Sequence, residues 1–209
     1  MKVMKKAMLL ILSWGMFLCC LQGQSDPLFV KKIQQHRKAY LNDFKKNPAS
    51  PLGKKELKNV QFFAPDEQYM VLCQFSPTPD AEPFEMPTYS GVTKPYVQYG
   101  IAKFSLAGVD YQLSIYRSVS NTLPQYRDYL FVPFKDLSNG EYTYGGGRYL
   151  DLRIKDIVDK KLTLDFNKAY NPYCAYSDGY SCPIPPEENH LKVSIPAGEK
   201  VFMGKKKHP

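Results

Sequence analysis

At 209 residues, with 44% hydrophobic, 23% charged and 14% aromatic content, the chain holds enough apolar matter for one sizeable core, which excludes disorder as its default state. The formal charge of +8 is modest, and its lysines are interleaved with acids and joined to no reading element, so nucleic-acid binding is excluded as an expectation. Sixteen tyrosines and 17 prolines favour strands and turns.

Residues 1–23 read as a secretory leader. Lys2, Lys5 and Lys6 form a basic head, Ala7 to Leu18 an apolar middle, and Gly23 a small residue before a cut. The apolar run is short for a membrane span. Cys19 and Cys20 raise the alternative of a lipoprotein-type leader, against which Leu18 stands as a bulky neighbour. Removing the leader takes away three lysines and no acid, leaving +5. The expected location is exported: periplasmic, secreted or lipid-anchored at the cell envelope, with membrane contact only through the leader or that anchor.

The remainder, 24–209, is expected to be a single domain. Ser25, Asp26 and Pro27 make a helix start, and Phe29, Ile33, Tyr40 and Phe44 recur at helical spacing, which predicts an amphipathic helix over about 27–46. His36 sits on or near its apolar flank without spaced partners, as a packed or surface histidine does. Asn47, Pro48, Pro51 and Gly53 end the helix.

A β-rich part follows over about 59–204. Val60 to Phe63 and Tyr69 to Phe75 are the first extended runs, the second carrying Cys73 as a buried strand thiol. The prolines between Ser76 and Pro95 predict an edge or an exposed loop, since each removes a ladder donor. Tyr99 to Leu106 and Tyr111 to Arg117 flank AGVD, the clearest hairpin signal. Tyr129 to Phe134 is a compact strand, and Gly145 to Gly147 mark a bend, because no phosphate-loop lysine follows. Lys161 to Phe166 and Leu191 to Ile195 alternate as strands. The fold class expected is mainly β, or α+β by element count: an antiparallel twisted sheet or barrel with an N-terminal amphipathic helix.

Between the last two runs lies an irregular stretch, Asp165 to Glu199. Cys174 and Cys182, with seven residues between them including an Asp178-Gly179 turn, are a disulfide candidate in an exported chain. Free thiols remain the alternative. Adding His190 and Glu187 or Glu188 makes a zinc-like set, but the spacing lacks the compact knuckle, and no metal is expected. A Cys–His nucleophile pair and a carboxylate pair drawn from Asp165, Glu187 and Glu188 are equally open and lack an activating context; in extended chain the two glutamates would face opposite ways.

The binding candidates are Arg148, Tyr149, Asp165, Asn167, Tyr170, Asn171, Tyr176 and Asn189, a polar and aromatic set. They read either as a buried network, with Arg148 pairing Asp165, or as the lining of a pocket.

Three segments, GRYLDL at Gly147 to Leu152, LDFNKAYNPYCAY at Leu164 to Tyr176 and CPIPPEENHLKVSIPAGEK at Cys182 to Lys200, resemble the bacterial family called domain of unknown function 1684. Weaker agreement runs through RKAYLNDF, SPLG and LFVPFKD. The resemblance implies membership and length; it brings no chemistry and no site residues. The function expected from the residues is binding of a small-molecule or envelope ligand, the cofactor being unnamed. The competing classes are an enzyme, a hydrolase or cofactor-dependent barrel using 148–190, and a structural or interaction module of the envelope.

Overall fold

The computed structural model describes residues 25–121 and 123–208. The leader expected over 1–23, with Cys19 and Cys20, lies outside the described residues. Helix α1 spans Pro27–Lys46, and seven strands follow: β1 Met70–Pro77, β2 Phe84–Pro87, β3 Thr93–Leu106, β4 Val109–Ser118, β5 Tyr129–Phe134, β6 Arg148–Arg153 and β7 Lys161–Asp165. They build one curled antiparallel sheet, a half-barrel, in the order β6-β5-β4-β3-β1-β7, while β2 pairs with the first part of β3. The fold is therefore mainly β with one N-terminal helix, as the composition and periodicity imply.

Local chemistry explains the elements. Asp26 accepts a hydrogen bond from the Leu28 N–H at 3.0 Å, and Pro27 occupies the first turn, where its missing donor costs nothing. The β3–β4 hairpin closes through Ala107 and Gly108, both at positive φ (51° and 78°), which is the two-residue turn whose twist matches the strands. Gly100 marks a register shift in β3, where a Cβ would overlap the Phe75 ring.

The two faces of the sheet carry different side chains, as the period of two requires. On the inner face Ala102, Phe104, Leu113, Ile115, Leu130, Val132, Phe134, Leu150, Leu162 and Leu164 form the main core, with the Cys73 thiol buried among them. On the outer face Met86, Tyr96, Tyr116, Phe131 and Tyr149 form a second, aromatic cluster. The apolar stripe of α1 packs mainly on the late irregular segment: Phe44 meets Ala175 and Tyr176, with Tyr40 and Tyr173 beside them. Arg37 fastens the helix by donating to Phe63 O at 2.8 Å.

Two expected strands are absent. Leu191 to Ile195 runs beside Lys135 to Leu137 with only two backbone bonds, Leu191 N to Lys135 O and Leu137 N to Val193 O. The Ile195 N–H goes to the Asp136 carboxylate instead, and Pro196 follows, so no ladder can extend. Val60 to Phe63 contributes a single bridge, Phe62 to Glu199, because a helical turn ends just before it and Pro65 comes just after. The proline-rich interval does hold an edge strand, β2.

Candidate functional site

The expected site residues fall into two groups. Arg148 opens β6 on its inner side and is completely buried. It pairs with Asp136 at 2.7 Å, donates to Ile195 O at 2.9 Å and also to Ala197 O, with the guanidinium over the Phe134 ring. The anticipated partner, Asp165, is not there, since β6 and β7 are opposite edges of the sheet. Asp165 instead accepts from the N–H and side chain of Asn167 and faces Lys168 at 3.4 Å. Asn167 also bonds both backbone groups of Asp66, and Asn189 bonds Ser114 N, Ser114 O and Pro133 O. These four residues satisfy buried backbone where the chain is irregular, a structural task.

A second buried knot was not legible beforehand. Glu199 is fully buried, and among the described residues no basic side chain pairs with its carboxylate, Arg148 Nη1 reaching only its backbone carbonyl at 3.4 Å; the carboxylate accepts from Tyr176 OH at 2.6 Å, Tyr40 OH at 2.9 Å and the Asn171 N–H at 3.0 Å. Burial pushes its pKa up to about 7, against the lowering effect of those donors. Tyr176 thus ties α1 and the C-terminal segment together.

Tyr149, Tyr170 and Asn171 border open space. A cleft of about 450 Å³ lies between α1 and the outer edge of β6, lined by His36, Ala39, Tyr40, Asp43, Phe44, Asp151, Lys168, Tyr170 and Tyr173. The helical residues among these follow one face, and Ala39, the smallest, leaves the room. Through Tyr170 and Tyr173 the cleft adjoins a lobe of about 330 Å³ walled by Tyr96, Tyr129, Phe131, Tyr149, Asn171 and Lys94. The roof of this lobe is the segment closed by the Cys174–Cys182 disulfide. Asn171 donates to Lys200 O at 2.8 Å, and its buried Oδ1 has no partner among the described residues.

Asp151 is the hinge of the arrangement. Its Oδ1 accepts from Tyr129 OH and Tyr170 OH, both at 2.7 Å, and its side chain stays open to the cleft. Although the side chain is accessible from the cleft, the protein around the carboxyl partly desolvates it and raises its pKa, while the two tyrosines and Arg153 act to lower it. Burial and the neighbouring carboxylate hold Tyr129 and Tyr170 well above the usual phenol range, so both remain neutral donors. His36 lies exposed on the rim, and partial desolvation by its neighbours, then Lys168, lowers its pKa. Lys94, lowered by burial, donates to Ser181 O at 2.6 Å.

Asp151, Tyr129, Phe131 and Lys94 are not marked by local pattern: alternation puts Tyr129 with Phe131 and Tyr149 with Asp151 within each strand, and the β5–β6 register brings the two pairs to one face. The zinc-like set is not assembled: its two sulfurs are bonded to each other, and His190 Nε2 lies 3.0 Å from Pro185 O. Glu187 and Glu188 sit in a short helical turn, not in strand, and Glu188 accepts from Tyr116 OH at 2.7 Å. A larger depression of about 470 Å³ lies at the β3–β4 hairpin, but its Ser105 and Asp110 already bond each other and nothing converges there.

A half-barrel with a tyrosine-walled cleft on its outer face and a disulfide-closed flap is the class that fold and site define. The family model described as "Protein of unknown function (DUF1684)" matches residues 55–200, and the chain belongs to that family. The chain is similar to a solved structure, the solution NMR structure of an uncharacterized protein from gene locus rrnAC0354 of Haloarcula marismortui. The identity is 33% over 81% of this chain and 92% of that one, with a TM-score of 0.64. No curated protein matches. Helix α1, which supplies one wall of the cleft, precedes the family match.

Proposed function

We propose that this protein is a small-molecule-binding domain whose site is the cleft between α1 and the outer edge of β6. The observation that carries the reading is an open, aromatic-walled space of about 450 Å³ with one carboxylate, Asp151, aimed by two tyrosine hydroxyls. Ligand sites of this size are mostly apolar with a few fixed polar groups, and a carboxylate oriented in advance loses little freedom on binding. We also propose an exported, envelope setting, supported by the leader-like residues 1–23 and by the Cys174–Cys182 disulfide, which suits an oxidising compartment.

The test is ligand-observed NMR with a fragment library on the wild type and on Ala39→Trp, which fills the cleft from an exposed helical position without touching the cores. Fragments that bind the wild type and are lost in the variant support the reading. Fragments retained equally by both, or none bound by either, overturn it.

A further inference from the structure

We propose that the cleft selects a small organic cation, an amine or ammonium head seated at Asp151 with an apolar body against the rings of Tyr40, Phe44, Tyr170 and Tyr173. This rests on the reading of the cleft as a ligand site and names the chemistry of its occupant.

The argument is an inventory of what the walls still offer. Tyr40, Phe44, Tyr170 and Tyr173 form a continuous aromatic surface, with ring centroids 5.1 Å apart for Tyr40–Phe44, 5.8 Å for Tyr40–Tyr170 and 5.6 Å for Phe44–Tyr173. Their hydroxyls are already engaged by the protein. Tyr40 OH donates to Glu199, Tyr170 OH donates to Asp151, and Tyr173 OH accepts from Asn47 Nδ2 at 3.1 Å. Two of the three hydroxyl protons are thus spent on internal carboxylates, Tyr173 alone keeping its own, so most of what faces a ligand is ring surface, and ring surface attracts cations.

The charged groups divide in the same direction. Asp43 comes from α1 and Asp151 from β6; both are open to solvent, and Asp151 Oδ2 makes no hydrogen bond to the described residues. Of the basic groups, Lys168 is held by Asp165 at 3.4 Å, and His36 is biased toward its neutral form by burial and by Lys168. Arg153, next along β6, is held by Asp128 at 2.8 Å. The cleft thus presents two unmatched carboxylates and few free donors, although the chain as a whole is basic. A polyhydroxyl ligand needs donors and acceptors together, and an anion would meet Asp43 and Asp151 directly; an ammonium satisfies both carboxylates and rings.

The experiment is isothermal titration of the chain over residues 24–209 with three probes that share a body and differ in head: phenethylamine, 2-phenylethanol and 3-phenylpropionate. Phenethylamine is expected to bind saturably, and Asp151→Asn, which keeps the acceptor for both tyrosines, is expected to weaken it about tenfold or more, the effect of removing one charge-assisted bond. Asp43→Asn, on the exposed rim, is expected to weaken it less. Equal binding of phenylethanol and phenethylamine, or Asp151→Asn without effect, overturns the cation assignment while the cleft remains a ligand site. Tighter binding of phenylpropionate overturns it likewise. If none of the three binds while library fragments still occupy the cleft, the assigned class is wrong; if no fragment binds either, the site reading falls with it.

Discussion

Two carboxylates in this molecule are built alike and differ in their access to solvent. Glu199 and Asp151 each receive two tyrosine hydroxyls, from Tyr40 and Tyr176 in one case and from Tyr129 and Tyr170 in the other. Glu199 lies sealed beneath α1 and takes a backbone N–H as well, so every contact it makes is internal. Asp151 stands at the wall of a cleft with its second oxygen turned to no protein donor. The same hydrogen-bonded arrangement is a clasp when closed, and, under the proposed function, a receptor when open. Access decides the role, more than residue type does.

The sharpest way to break the comparison is to remove each carboxylate. Glu199→Ala leaves the Asn171 N–H and one hydroxyl proton without an acceptor in a buried interior, since Tyr40 OH and Tyr176 OH, 3.1 Å apart, can still pair with each other, and it should cost about 3–5 kcal/mol, read from the urea midpoint. Asp151→Ala leaves its tyrosines able to reach water, and should cost only about 1 kcal/mol in the same assay. Equal losses would erase the distinction.

Proton linkage sharpens it further. Burial raises the folded pKa of Glu199 to about 7 from its ordinary value of 4.5, so between these values the folded protein holds a proton that the unfolded chain has released. Stability from this group should therefore fall as pH rises from 4.5 to about 7, by an amount on the order of 3 kcal/mol, and level off above. Glu199→Gln should abolish that slope in urea titrations repeated across the window. Asp151, also raised, acts in the same direction.

A third prediction concerns the flap over the smaller lobe. Replacing Cys174 and Cys182 together by serine should lower stability by about 2–3 kcal/mol, because the short loop they close is freed in the unfolded chain. Reduction of the wild type should reproduce the shift in thermal melts.

Smaller still is the stability effect expected of Ala39→Trp. The position is exposed on the helix, so folding should change by less than about 1 kcal/mol while the cleft is lost.

How far the sequence foretold all this follows from the range of each interaction. Helix α1, the AGVD hairpin and the Tyr129 to Phe134 strand are written in local periodicity and turn chemistry, and the structure carries them where those signals lie. The strand expected at Leu191 to Ile195 failed because a side chain, Asp136, took a donor that the alternation alone assigns to a neighbour strand. Arg148 was assigned to Asp165 by sequence chemistry, but the sheet order puts β6 and β7 on opposite edges and brings Asp136 to it instead. Tyr149, Tyr170 and Asn171 border the cleft and its lobe, whereas Arg148, Asp165, Asn167 and Asn189 hold backbone groups and Tyr176 holds the Glu199 carboxylate. Asp151 and Glu199 looked like ordinary acids, since their tyrosines arrive from elements 19 to 159 residues away. Long-range register, which pairs Phe131 with Asp151 and sets Tyr149 beside Tyr170, is what made the site and what no local pattern contains.

The most direct measurement is a tyrosine-ring carbon NMR titration of the wild type with phenethylamine. If the open carboxylate is the receptor and the sealed one a clasp, the Tyr170 and Tyr129 resonances should move saturably while Tyr176 stays in place. Movement of Tyr176 to the same extent, or a still Tyr170, would contradict the account.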